Sequence, residues 1–219
     1  MQHLYGLMTD NRKATFEDVL SKRTRHITVA IENIFQSQNA SAVLRTCDCF
    51  GIQDVHVIEN SNTYEINSDV ALGSSKWVNI NRYDAEENNT VQCINTLKEK
   101  GYKIIGTTPH TDDITIDQLD ITDPTALIFG TEKDGLSDLA KEHCDGFVKI
   151  PMYGFTESFN ISVSAALCLH TLSEKMRASE VKWNLSEEEI DELRLAWSKN
   201  TIQRWETHER DFNNRLSKS

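Results

Sequence analysis

Five short apolar segments, separated by stretches of helical periodicity, constrain this chain more than any other feature. They are HITVAIEN (26–33), DVHVIE (54–59), YKIIGTT (102–108), TALIFG (125–130) and FVKIP (147–151). Apart from the alternating DVHVIE, they are apolar almost throughout, as strands are when helices cover both faces of a sheet. Strands alternating with helices give an α/β fold with a mostly parallel sheet. The last three segments each end in a polar loop: Thr107-Thr108-Pro109, Gly130 to Gly135, and Met152-Tyr153-Gly154. Parallel sheets gather their ligands at the carboxyl ends of the strands, so three such loops imply a nucleotide-sized pocket.

The intervening segments read as follows. Residues 11–25 form a helix on the spacing of Phe16, Val19 and Leu20, with Lys22, Arg23 and Arg25 at its carboxyl end,. Ala42, Val43, Thr46, Cys49 and Phe50 set a helical face that Gly51 terminates,. Residues 60–82 are polar and irregular. Thr90 to Lys100 is an amphipathic helix stopped by Gly101. Asn160 stands as an N-cap before the apolar run Ile161 to Leu169,. Ser186 with Glu189 forms a capping box that opens a helix to about Lys199, and an exposed helical tail follows,.

The net charge of −11 argues against a generic nucleic-acid binder, but it is unevenly spread,. Residues 1–30 carry five Lys/Arg against three acids, and residues 175–219 carry nine of each. Residues 31–174 carry nine Lys/Arg against 22 acids. Contact with a polyanion is therefore expected from the flanks and from isolated arginines of the core. The five cysteines are odd in number, and Cys47-x-Cys49 lacks the spacing of a zinc or redox pair,. The seven histidines are scattered, so no metal site is expected,. No apolar run approaches the roughly 20 residues of a membrane span. The opening MQHLYGLMTD lacks the pattern of a secretory leader,. A cytoplasmic protein with reduced thiols is expected.

No Gly-rich dinucleotide fingerprint, P-loop or G-x-S-x-G elbow is present,. Arg45 lies in a small, apolar helical segment and either points to solvent or aims its planar fork at a phosphate. The segment Gly130 to Leu136 is open in the same way: a plain turn, or a backbone cradle between two glycines.

Three blocks, taken together and in order, bear a resemblance to a known family. They are Asn39-Ala40-Ser41-Ala42-x-x-Arg45-Thr46, then Ile128-Phe129-Gly130-x-Glu132-x-x-Gly135-Leu136, then Ile150-Pro151-Met152-x-Gly154-x-x-x-Ser158-x-Asn160-Ile161-Ser162-Val163-Ser164. In this spacing they resemble the signature motifs of the SpoU branch of the SPOUT methyltransferases, over residues 26–172. The resemblance implies an α/β fold with a deep trefoil knot in its C-terminal half. It also implies helical extensions at 1–25 and 173–219, a homodimer with the active site completed across the interface, and S-adenosylmethionine as cofactor. The implied activity is 2′-O-methylation of a ribose in RNA. The flanks are similar to those of family members that act on guanosine 18 in the tRNA D-loop. Methylation of ribosomal RNA or of another tRNA nucleotide, and a non-catalytic RNA-binding role, stand as alternatives.

Residue by residue, the resemblance implies Thr107, Gly130, Ile150 and Phe159 as cofactor neighbours, with Phe159 standing where the family usually has leucine. It implies Arg45 as the catalytic residue, Asn39 as its orienting partner, Glu132 in the knot loop, and Ser158 and Asn160 as positioning groups. Arg12, Lys22, Arg23 and Arg25 are the expected tRNA contacts. Arginine stays protonated in proteins. Arg45 is therefore either a base tuned by substrate phosphate in a dry pocket, or a cation that holds phosphate and offsets alkoxide charge.

Overall fold

The computed structural model describes residues 2–65, 67–109, 114–131 and 133–216. In chain order the helices are α1 (Gln2–Gly6), α2 (Asp10–Leu20), α3 (Ser37–Phe50), α4 (Ser68–Ala71), α5 (Asn89–Glu99), α6 (Asp138–His143), α7 (Ile161–Arg177), α8 (Glu187–Thr201) and α9 (Trp205–Leu216). The strands are β1 (Ile27–Glu32), β2 (Asp54–Ile58), β3 (Asn79–Tyr83), β4 (Lys103–Thr107), β5 (Thr125–Phe129) and β6 (Gly146–Val148). Residues 24–183 form one compact unit, and residues 1–23 with 184–219 form another.

In the larger unit the six strands are all parallel, in the order β3-β2-β1-β5-β4-β6. β1 and β5 lie at the centre, and every one of their residues is buried. Their side chains alternate between two apolar layers. Ile27, Val29, Ile31, Leu127 and Phe129 pack with Val43, Leu44 and Cys47 of α3 and with Ala165, Leu169 and Leu172 of α7. Ala30, Ala126 and Ile128 pack on the opposite layer with Cys93, Ile94 and Leu97 of α5 and Ala140 of α6. That two-sided burial is the reason for the continuous apolar runs.

Several sequence expectations require correction. The buried face of α3 is Ala40, Val43, Leu44 and Cys47, at i, i+3, i+4 and i+7, whereas Cys49 is exposed. Gly51 does end this helix, in the left-handed region at φ 78°. Residues 60–82 are not wholly irregular: they hold α4, a 3-10 turn and most of β3. The sequence NINRY hides β3 because an edge strand is only half covered and tolerates polar residues,. α2 ends at Leu20, so Lys22, Arg23 and Arg25 follow the helix rather than closing it.

In the smaller unit Phe16 of α2 meets the Trp197 ring of α8 edge-on, centroids 5.5 Å apart. Arg194 forks onto Glu17 with contacts of 2.9 and 2.8 Å, and this pairing holds the Glu17 carboxyl below its ordinary range. The capping box at Ser186 and Glu189 forms with both bonds in place. No helix among the described residues is long and apolar enough to cross a membrane.

His56, on β2 and 2% exposed, sets its Nδ1 3.1 Å from the Tyr83 hydroxyl. Burial pushes its pKa down to about 4 from the ordinary 6.5, against the attraction of Asp54. Below pH 6.5 the unfolded chain takes up a proton that the folded chain refuses until about pH 4,. Stability is therefore complete above that window and falls through it, by about 2 kcal/mol between pH 7 and pH 5. Thermal denaturation across that range should show the fall, and His56→Leu should flatten it.

Candidate functional site

The carboxyl ends of β5, β4 and β6, three neighbouring strands, open into a cavity of about 300 Å³. Three loops wall it: Thr107 to Pro109, Gly130 to Gly135, and Ile150 to Phe159. The first turns of α7 contribute Ile161, Ser164 and Cys168. Burial alone pushes the Cys168 thiol up to about 12, so this wall carries no thiolate at neutral pH.

The middle loop is closed backbone to backbone. The N–H of Thr131 donates to the Gly135 carbonyl at 2.9 Å, and the N–H of Gly135 returns to the Thr131 carbonyl at 3.1 Å. The N–H of Asp134 donates to Thr131 Oγ1 at 3.0 Å. Gly135 takes φ +70°, which an L side chain resists,. A Cβ on Gly130 would lie 2.1 Å from the Gly135 carbonyl atoms, so the loop closes only because Gly130 has none. The segment is a turn drawn tight between two glycines, the geometry a backbone cradle requires.

The first loop is tied to β6, where the third loop begins, by Thr108 N–H donating to the Val148 carbonyl at 3.1 Å. Lys149 and the 114–116 segment exchange two backbone bonds, each 3.1 Å. The third loop then runs exposed from Tyr153 to Asn160. Asn160 caps α7: its Oδ1 accepts from Ser162 N–H at 2.9 Å and Ser162 Oγ at 2.6 Å. Its Nδ2 donates to Asn39 Oδ1 at 3.1 Å, so the first and third sequence blocks meet through two amides.

Thr107, Gly130, Ile150 and Phe159 all line the cavity, and so does Ser158. The Thr107 hydroxyl is already engaged, donating to the Ile128 carbonyl at 3.0 Å. Asn39, Arg45 and Asn160 are not among the described residues that line it. Arg45 is exposed on α3. Glu132 lies outside the described residues.

The four basic residues expected to touch tRNA are not equivalent. Arg12 and Lys22 are exposed, and Lys22 reaches Asp18 at 2.7 Å. Arg23 is 2% exposed, with its guanidinium 5.4 Å from the centre of the Trp197 ring. Arg25 forms a half-buried ion pair with Asp54 at 2.9 Å. Burial and pairing thus set Arg23 and Arg25 apart from Arg12 and Lys22, which stand further out in solvent.

Sequence reasoning missed Glu32. Its carboxylate is buried beneath the middle loop and accepts from Ser137 at the loop's far end. An acid closing an apolar run reads simply as the end of a strand, and its partner stands 105 residues away.

Residues 26–170 match the SpoU rRNA methylase family. A tRNA (guanosine(18)-2′-O)-methyltransferase of Borreliella burgdorferi is 42% identical over 203 residues, covering 93% of this chain and 91% of its own. Among solved structures, the Aquifex aeolicus TrmH/SpoU tRNA modifying enzyme superposes with a TM-score of 0.78 at 31% identity. That match covers 89% of this chain and 98% of the Aquifex chain. The Streptomyces viridochromogenes SpoU methyltransferase AviRb, in complex with the cofactor AdoMet, shares the fold: TM-score 0.59 at 21% identity, covering 74% of this chain and 62% of the other.

The cradle makes a stability prediction. Gly130→Ala should cost more than about 2 kcal/mol, because the clash is with backbone that cannot step aside. Gly154→Ala, with nothing within 4 Å of the added carbon, should stay within about 0.5 kcal/mol of the parent,. Chemical denaturation of the two variants checks the contrast.

Proposed function

The chain belongs to the SpoU methylase family, and on that premise we propose that it methylates the ribose 2′-hydroxyl of guanosine 18 in tRNA, using S-adenosylmethionine. The observation that carries the reading is the convergence of Thr107, Gly130, Ile150 and Phe159 on one cavity. The similarity to tRNA enzymes along nearly the whole chain supports the choice of RNA and nucleotide.

The residues present fit the cofactor. The cavity's volume of about 300 Å³ suits a small ligand,. Its walls combine apolar Phe129, Ile150 and Ile161 with loop backbone. Gly130 leaves the cradle that a Cβ would fill. Thr107, Gly130, Ile150 and Phe159 would hold the cofactor, which supplies an electrophilic methyl group when bound.

The chain's own residues carry the remaining work. Arg45, exposed on α3, holds the substrate phosphate and offsets negative charge as the 2′-oxygen takes up the methyl group and its proton passes to water,. A planar fork suits both tasks, and a permanent cation is a poor base. Asn39 and Asn160, bonded to each other, keep the start of α3 against the start of α7. Ser158, on the cavity wall, orients the ribose. Such positioning lowers the barrier by prepaying orientational entropy.

The active form is a homodimer in which Arg45 of one protomer serves the cavity of its partner. Val163 and Leu167, one turn apart on α7, are 43% and 38% exposed, which supports a partner on this face. A deep trefoil knot fits the way Lys149 exchanges backbone bonds with the 114–116 segment before the chain enters α7. The N-terminal flank makes the first tRNA contact, through Arg12 on α2 and Lys22 just beyond it, and the protein works in the cytoplasm.

Incubation with labelled cofactor and unmodified tRNA tests the whole reading. Label should appear on the ribose of guanosine 18; label at another nucleotide, or none, would sink it. Arg45→Ala should lower turnover by at least ~100-fold with cofactor affinity unchanged; near-normal turnover removes Arg45 from the reaction. Arg12→Gln with Lys22→Gln should reduce the slope of log affinity for tRNA against log salt by about 0.7–0.9 for each phosphate no longer neutralised. An unchanged slope would place the tRNA elsewhere.

A further inference from the structure

Glu32 is the last residue of β1, 1% exposed, on the side of the sheet covered by α5 and α6. Its Oε1 accepts from Thr90 Oγ1 and from Ser137 Oγ, each at 2.7 Å. Its Oε2 accepts from the Ser137 N–H at 3.0 Å. Burying a carboxylate is costly unless donors surround it, and here three do.

The donors show what the carboxylate is for. Ser137 ends the loop that begins at Gly130, and its Oγ also caps α6 by accepting from Ala140 N–H at 3.0 Å. Gly130 follows Phe129, which pairs with Ile31, the residue before Glu32. The end of β1 thus fixes both ends of the loop: by strand pairing next to Gly130 and by the Glu32 side chain at Ser137. Between those ends, Gly130, Thr131, Lys133, Asp134 and Gly135 line the cavity, whereas Glu32 does not.

We propose that Glu32 is a positioning residue for the cofactor loop, holding its two ends so that the backbone between them keeps the shape that grips S-adenosylmethionine. The proposal rests on the cofactor assignment made above. Glutamine is a poor substitute. Turned one way, its amide opposes the Ser137 N–H, donor to donor. Turned the other, both hydroxyls must reverse, and Ser137 Oγ must accept twice while its own hydrogen is left without a partner. Aspartate is a methylene short of both hydroxyls.

Two measurements test it: amide hydrogen exchange of the cofactor-free protein, and calorimetric titration with S-adenosylhomocysteine, beside the kinetic constants. In Glu32→Ala, amides 131–135 should exchange about tenfold faster while those of β1 and β2 keep their rates. The dissociation constant should rise about tenfold or more. KM for the cofactor should rise with it, while kcat at saturation stays within about threefold. Ser137→Ala should shift both readings in the same direction, and it carries the test if Glu32→Ala fails to fold. Thr90→Val removes a donor that is not on the loop and should leave affinity unchanged. Uniformly faster exchange with unaltered affinity in the folded fraction would reduce Glu32 to a general stabiliser and overturn the proposal. Failure of the parent protein to bind S-adenosylhomocysteine would overturn the cofactor assignment and this proposal together, and the parent titration reads it separately.

Discussion

The carbonyl of Gly135 sits 2.1 Å from the place where any other residue at position 130 would carry its Cβ. The local architecture follows from that close approach. Because the chain can fold back on itself immediately after β5, the 131–135 turn closes in two backbone bonds and stays beside the sheet. Because β5 is central, with β1 on one side and β4 on the other, the turn arrives next to Thr107 and opposite Ile150. A cavity walled by three loops results. Loop-built walls are only as precise as the anchors of their loops. Glu32 beneath the loop and the Asn39–Asn160 bridge at the start of α7 are anchors of this kind.

Charge is handled with comparable economy. Arg194 is committed to Glu17, Arg25 to Asp54, and Arg23 to the face of Trp197. These three arginines thus have acidic or aromatic partners within the protein. Arg12, Lys22 and Arg45 are exposed, with Lys22 beside Asp18. On an acidic chain, exposed cations favour local contact with a polyanion over diffuse attraction.

The central strands are legible in the sequence because both of their faces are buried. β1 and β5 need apolar residues at almost every position, and the pattern cannot be mistaken for an amphipathic one. β3 is not legible, since NINRY at the sheet edge is half solvated. α6 spans six residues, too few to display a period. The Asn160 cap is legible because capping is local chemistry; its bond to Asn39 is not, because 121 residues separate the two. The same distance problem hides Glu32. Thr107, Gly130, Ile150 and Phe159 are identified by resemblance, and their convergence on one cavity is a property that only folding supplies.

The most direct measurement of the central claim is a crystal structure with S-adenosylhomocysteine bound. The account predicts density for the ligand between the Gly130–Gly135 turn and the Ile150–Phe159 loop, gripped mainly by backbone atoms, with Glu32 still bonded to Ser137 beneath it. Ligand density at any other site, with this cavity filled only by solvent, would contradict it.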